Sequence, residues 1–366
     1  MLIMKPEFRS IVIFGGAGFI GSNWTERLLN RTEAKVHVVD NLSRPGSRHN
    51  LEYLQKIAGP NGRLQITIGD VRDAATVSRA LRSASEIYNF AAQVAVTTSL
   101  TDPRLDFEVN LGGTFNILEA ARWHGRNPYL LFTSTNKVYG SCGDPDVRVE
   151  GNRYVPVAPG GTDESQPLDF HSPYGCSKGG ADQYVRDYAR IYGLNSVVFR
   201  MSCIAGPRQF GTEDQGWVAH FLYSALAGKP LTIYGDGRQV RDVLYVDDLL
   251  RAFEAAYRNR EKTAGQIFNI GGGQKNTVSL LELIDRIEEL TGVRPCYNFD
   301  DQRAGDQLIY VTNHAKFSRF TRWRPEVGVD GVLKGIYKWY TNNRELFASS
   351  PAEHLNQVLT PARRTA

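Results

Sequence analysis

The sequence is poor in sulfur. Its 366 residues include four cysteines, Cys142, Cys176, Cys203 and Cys296, and three methionines. No two cysteines form a CxxC pair, and none stands at metal-ligand spacing from the seven histidines. Neither a disulfide framework nor a metal site is therefore expected; reduced thiols of a cytoplasmic protein are. Long apolar runs are also missing. No stretch approaches the roughly 20 apolar residues that span a bilayer, so no membrane contact is predicted. Met1 to Ser10 carries charges and no apolar centre, which predicts no signal peptide. There is no excess of one charge either. Lys and Arg total 43 against 39 for Asp and Glu, a net +4, and the basic residues are scattered. That balance gives no reason to expect nucleic acid as a partner and leaves acidic small ligands open. No internal repeat is visible. With 42% hydrophobic and 22% charged residues the chain reads as globular, long enough for one large or two modest domains.

Glycine is what the first forty residues have in place of sulfur. Ile11 to Phe14 is a short apolar run of strand type, and it feeds directly into Gly15-Gly-Ala-Gly-Phe-Ile-Gly21. A helical pattern carrying Trp24, Leu28 and Leu29 follows. Strand, glycine turn and helix make the first unit of a dinucleotide-binding fold. Gly15 allows the tight turn, Gly18 lets backbone approach a pyrophosphate, and Gly21 lets the helix pack closely on the sheet. Phe19 and Ile20 open the helix, whose unpaired N–H groups face the phosphates. Val36 to Asp40 reads as the second strand. Asp40 lies where a carboxylate accepts the ribose hydroxyls of adenosine, with Asn41 beside it; a carboxylate there repels a 2′-phosphate and favours NAD over NADP.

The alternation continues. Leu64 to Ile68 is a third strand, followed by Asp70 and Val71 at the adenine edge. Glu86 to Phe90 is a fourth, running into Ala91 and Ala92, small residues that let a cofactor lie against the strand ends. A helix is predicted from Pro103 to His124 with Leu105, Val109, Phe115 and Leu118 on its core face; Asn110 interrupts that face and is expected beside the cofactor. Tyr129 to Phe132 is the fifth strand and Val197 to Arg200 the sixth. Such alternation predicts an α/β fold with a doubly wound parallel sheet. Ligands in these sheets bind beyond the carboxyl ends of the strands. So Gly15, Asp40, Ala91, Thr135 and Tyr174 are expected to share one crevice.

Tyr174 and Lys178 stand four residues apart at the head of a helical run, Gly179 to Tyr192, with Tyr184, Tyr188 and Ile191 spaced for one buried face. Residues four apart share a helix face. The expectation is a phenol beside an ammonium that lowers its pKa, tuned to exchange a proton with a sugar hydroxyl. Cys176, between them, reads as a small buried thiol. Cys142 to Thr162 reads as a long loop or insertion. Beyond residue 200 the pattern changes to polar loops, a strand at Leu231 to Tyr234, and an amphipathic helix at Leu280 to Leu290. Arg208, Arg241 and Arg303 are expected in loops, where planar guanidinium groups suit a diphosphate. The predicted organisation is a dinucleotide-binding domain over 1–200 with returns near 240–270, a smaller substrate domain over 201–345, and a tail over 349–366.

Gly15-x-x-Gly18-x-x-Gly21, Asp40, Thr135 and Tyr174-x-x-x-Lys178 together resemble the extended short-chain dehydrogenase/reductase superfamily, in its nucleotide-sugar epimerase and dehydratase branch. The resemblance runs to about Tyr340. It implies a Rossmann domain holding NAD, with Tyr174 as acid/base, Lys178 as its activator and a ribose ligand, and Thr135 orienting the substrate oxygen. It implies further cofactor contact at Met201. Substrate contacts are implied at Gln93, Asn136, Ser202, Arg208, Gln209, Tyr234, Gln239, Arg241, Arg303 and Asp306. Where the dehydratases carry an Asp-Glu pair after the threonine, this chain has Asn136-Lys137, which argues against water elimination. Phe132 to Gly140, Leu168 to Lys178 and Arg208 to Trp217 carry a narrower resemblance, to epimerases of CDP-linked 3,6-dideoxyhexoses. That implies inversion at C2 of a sugar carried on CDP, tightly bound NAD and a homo-oligomer. A 4-epimerase of UDP-sugars and a non-catalytic NAD sensor are the alternatives.

Overall fold

The computed structural model describes residues 9–143, 145–158, 160–303 and 306–347. The expected tail, and residues 304 and 305 of the polar loop before Asp306, lie outside the described residues. In chain order the strands are β1 (Ser10–Phe14), β2 (Lys35–Asp40), β3 (Leu64–Ile68), β4 (Glu86–Asn89), β5 (Tyr129–Thr135), β6 (Val147–Glu150), β7 (Arg153–Pro156), β8 (Ser196–Met201), β9 (Cys203–Ala205), β10 (Leu231–Tyr234), β11 (Val240–Tyr245), β12 (Ile267–Ile270), β13 (Thr277–Ser279), β14 (Tyr297–Asp300) and β15 (Ile309–Tyr310).

Seven strands form one parallel sheet in the order β12-β8-β5-β4-β1-β2-β3. The chain winds outward from β1 in both directions, so the crevice of a doubly wound fold opens between β1 and β4. Both faces are covered, which is why the strands read as continuous apolar runs. Ile11 and Ile13 face a core with Trp24, Tyr88 and Phe253, while Val12 and Phe14 face a second with Ile87, Ile117 and Val185. A buried ion pair clamps one edge of the sheet. Arg200 on β8 donates to both carboxylate oxygens of fully buried Asp182, at 2.7 and 2.9 Å, and to the Tyr139 hydroxyl at 2.9 Å. Tyr139 donates in turn to Asn269 on β12 at 2.7 Å, so the ion pair is also a clamp on the edge strand.

Smaller sheets form the rest. β13, β11 and β15 pair side by side with β9 on β11, and β10 pairs in parallel with β14. They share a third core with Phe221, Leu222, Leu283 and Ile336. The chain returns to the large sheet through the helix Val246–Arg258, whose Leu249 and Phe253 enter the first core, and through β12. Among the described residues, no helix is long and apolar enough to cross a membrane.

Several local expectations need correction. The helix from Pro103 is three pieces: Pro103–Phe107, a wide π turn at Glu108–Gly112, and Gly113–Trp123. Phe115 is exposed rather than core. The second helix begins at Ser172, not Gly179, and only Tyr188 of the expected face is buried; Tyr184 and Ile191 are 45% and 66% exposed. The sheet is approached instead by Ala181 and Val185, while Gly175 and Gly179 face the segment at Phe170, and the aromatics Tyr184 and Tyr192 point outward. Cys176 is exposed. The stretch expected as a loop holds the antiparallel hairpin β6–β7, turned at Gly151-Asn152. Arg241 lies in β11, not in a loop.

Candidate active site

A cleft of ≈ 820 Å³ runs along the carboxyl ends of the large sheet and under the smaller ones. Of the cofactor, substrate and catalytic residues singled out from the sequence, all line it except Asn110. Asn110 sits behind the wall. Its amide donates to the carbonyl of Gln93 at 3.0 Å, to Asp106 at 3.1 Å and to the Ser177 hydroxyl at 3.1 Å. It thus ties the loop after β4 to the helix carrying Tyr174, through the π turn.

At one end stand the glycines. Gly15 has φ +75°, and a Cβ there would lie 2.7 Å from the Ala91 nitrogen; side chains are excluded by both backbone shape and space. A Cβ on Gly21 would lie 2.1 Å from the Gly15 carbonyl oxygen. The helix Phe19–Arg31 starts from Gly18 with no side-chain cap, leaving its first N–H groups for a ligand. Asp40 accepts from the Ala17 N–H at 2.9 Å and the Leu42 N–H at 2.8 Å, bracing the loops that follow β1 and β2. Burial pushes its pKa up while those N–H groups hold it down. Asp70 is held by Arg72 through two bonds, at 3.0 and 2.9 Å, and by the Asn41 amide at 2.9 Å. Burial opposes them, yet they draw its pKa to about 2.

Thr135, Tyr174 and Lys178 meet midway, from the end of β5 and the first two turns of the helix Ser172–Tyr192. Lys178 donates to the Thr133 carbonyl at 2.6 Å and stands 4.3 Å over the Phe132 ring. Burial brings its pKa down to about 7 against the opposing pull of Asp106 and Asp182. Tyr174 is pushed up to about 12 by burial, with the Thr135 hydroxyl drawing it down. Desolvation of the phenol outweighs any neighbouring cation, the reverse of the sequence expectation. The tyrosine backbone is fixed by the Ser99 hydroxyl, which accepts from its N–H at 3.2 Å.

At the far end Asn136 donates to Gln307 at 3.1 Å, and Ser202 donates to Asp242 at 2.5 Å. Arg208 pairs with Glu26 and donates to Asn23 at 2.7 Å. Arg303 stacks 3.9 Å over the Tyr234 ring. A strap over residues 212–216, part of the Arg208 to Trp217 stretch but with none of its side chains singled out from the sequence, crosses the cleft. Its Gln215 accepts from Arg44 at 2.7 Å and its Asp214 accepts from Thr97 at 2.8 Å on the dinucleotide side. On the other side Glu213 accepts from Tyr234 and pairs with Arg303 at 3.5 Å. Arg44 and Arg48 follow Asp40 closely in sequence, but no local pattern links Arg44 to a strap 171 residues away.

Four buried polar atoms on the cleft wall have no partner: Ser134 Oγ, Arg208 Nε, Gln209 Oε1 and Gln239 Oε1. These atoms are shielded even with the cleft open, so they lie behind its surface. The uncapped helix and the Gly15 turn are what fit a dinucleotide at one end of the cleft.

Residues 11–271 match the model of the NAD dependent epimerase/dehydratase family. The chain belongs to that family. NAD is therefore the cofactor for which the glycine loop and Asp40 are shaped. Within the NAD dependent epimerase/dehydratases, the chain is 43% identical to a CDP-paratose 2-epimerase of Salmonella typhi, over 90% of this chain and 98% of the relative. It is 32% identical to a dTDP-glucose 4,6-dehydratase of Salmonella typhimurium, over 92% and 93% of the two chains. Among solved structures, the UDP-glucose 4-epimerase of Thermus thermophilus in complex with NAD superposes with a TM-score of 0.76 at 33% identity, covering 91% of this chain and 99% of that one.

Proposed function

We propose that this protein is an epimerase that inverts C2 of a CDP-linked 3,6-dideoxyhexose, interconverting CDP-paratose and CDP-tyvelose. One observation carries the reading: 43% identity to a CDP-paratose 2-epimerase across nearly the full length of both chains, which is well above the 32% to a dehydratase. Asn136-Lys137 after Thr135 supports it, since neither side chain is the acid that elimination of water needs.

The roles follow from placement. In its ionised form Tyr174 takes the proton of the C2 hydroxyl and becomes the neutral phenol, while Thr135 bonds the same oxygen and orients it. Lys178, held on the Thr133 carbonyl, steadies the charge beside the phenol. NAD, when bound against Asp40 and the Gly15–Gly21 loop, would supply reversible hydride transfer at C2. Between the two transfers the 2-keto sugar turns in the cleft, and Tyr174 returns the proton. Asp40 and the Gly15–Gly21 loop hold the cofactor through a cycle that gives no reason to release it. Four free cysteines support a cytoplasmic setting. Subunits associate through the outward aromatic face of the helices Gly113–Trp123 and Ser172–Tyr192, where Phe115, Trp123, Tyr184 and Tyr192 stand exposed.

The test is CDP-paratose carrying deuterium at C2, in ordinary water, followed by NMR with no NAD added. Tyvelose that keeps its deuterium at C2 is the expected product. Label lost to solvent would refute transient oxidation at C2. Inertness of the CDP-sugar with inversion of UDP-glucose at C4 would refute the substrate and favour the UDP-sugar 4-epimerase. Tyr174→Phe keeps the ring and should cut turnover by about 10²-fold or more, the usual scale for a general acid/base.

A further inference from the structure

Three charges meet in the cleft wall just beyond Thr135. Lys137 comes from the short 3₁₀ turn Asn136–Tyr139, directly after β5. Arg241 comes from β11 and Asp306 from the loop before β15. A single carboxylate oxygen of Asp306 takes both cations, Lys137 at 3.2 Å and Arg241 at 2.7 Å, and also accepts the Gln307 N–H at 3.1 Å. Arg241 is pinned further by two backbone carbonyls, Val240 at 2.8 Å and Gln307 at 2.6 Å. All three side chains line the cleft. Both cations lean on the same carboxylate oxygen, in a wall where the Lys137 and Arg241 side chains are only 22% and 10% exposed. Neighbouring cations in such a recess attract an anion. The crowding is visible on Lys137, whose pKa is lowered by burial first and by Arg241 as well, against the pull of Asp306.

We infer that Lys137 is a specificity-determining contact for the sugar-side phosphate of a nucleoside diphosphate sugar, with Asp306 as the positioning residue that holds it beside Arg241. The inference rests on the nucleotide-sugar reading above, but not on which base or sugar is carried. Lys137 is two residues from Thr135, so the same turn that orients the reacting oxygen also reaches the phosphate. When the diphosphate enters, its oxygens take over donors that Asp306 otherwise holds. The ammonium fixes the distance between the phosphate and the carbon that reacts.

The experiment compares nucleoside diphosphates with monophosphates, because only the former carry the second phosphate. CDP, CMP, UDP and UMP are titrated calorimetrically into the NAD-loaded wild type, Lys137→Gln and Lys137→Arg. Lys137→Gln should weaken the diphosphate roughly tenfold or more, the scale of a charge-assisted bond, while the monophosphate changes less than about twofold on the same argument. Lys137→Arg should restore much of the loss, and added salt should narrow the gap between wild type and Lys137→Gln. Equal weakening of diphosphate and monophosphate, or unchanged diphosphate binding with a raised KM for the sugar nucleotide, would overturn the inference. If uridine nucleotides bind and cytidine nucleotides do not, the substrate reading fails, and the diphosphate comparison within the uridine pair still decides the role of Lys137.

Discussion

Lys178 shows how much a single residue's surroundings change its chemistry. Its spacing from Tyr174 was legible, because four residues on a helix is a local fact. Its orientation was not, because the carbonyl it donates to belongs to Thr133, 45 residues earlier on another element. The consequence is a pH dependence with a fixed sign. The folded pKa is brought down to about 7, while an unfolded lysine titrates near its ordinary value of 10.5. Between these limits the unfolded chain binds more protons than the folded one, so stability rises with pH across that window. The penalty for burying this amine is full below pH 7 and is gone above 10.5. Lys178→Met removes it. Thermal unfolding of cofactor-stripped protein should therefore favour the variant, relative to wild type, more at about pH 6 than at about pH 9. A difference in melting temperature that stays constant with pH would show that Lys178 is not the group responsible.

At the scale of elements, six of the seven strands of the large sheet were legible to within a few residues, while β12 was foreseen only as a return of the chain near 240–270. They are short apolar runs bounded by glycine and polar turns, and nothing tertiary competes with that pattern. The helices were legible less well, since period alone does not say which face a neighbour covers. On Ser172–Tyr192 Ala181 and Val185 enter the core, and Tyr184 and Tyr192 are on the outside. The π turn at Glu108–Gly112 has no sequence signature; it follows from the three acceptors that Asn110 serves. The glycine loop allows a test at this scale. In Gly21→Ala the new methyl would stand 2.1 Å from the Gly15 carbonyl oxygen, and a backbone oxygen cannot swing aside as a side chain can. The helix Phe19–Arg31 must back away from the sheet. Overpacking of this kind costs about 1–3 kcal/mol. The variant should fold, melt several degrees lower, and come through purification with most of its NAD lost. Wild-type NAD content, measured in the supernatant after denaturation, would count against the close approach of loop and helix.

For the whole molecule, the convergence of distant residues on one crevice was legible from topology. Strap and surface were not. The strap at 212–216 joins the two halves of the cleft through partners more than a hundred residues away on one side. The outer face of the two neighbouring helices carries Trp123 at 74% and Ile191 at 66% exposure, with Phe115 and Tyr184 edge to face at 6.0 Å. Apolar groups so exposed mark an interaction surface. Introducing charge there, as Trp123→Glu with Ile191→Glu, should convert an oligomer to monomers in sedimentation velocity with the melting temperature little changed. An unaltered sedimentation coefficient would move the contact elsewhere.

The parallel sheet also sets an order of events while the chain is being made. β8 ends at Met201, yet its outer neighbour β12 does not begin until Ile267, after the 65 residues 202–266 have visited the smaller sheets. At roughly 5–20 residues per second of synthesis, that gap lasts about 3–13 s. Throughout it, β8 is an edge strand, with one row of N–H and C=O groups unpaired and no clamp from Tyr139 to Asn269. The last strand to join covers the open row of β8 and takes over its place as the edge.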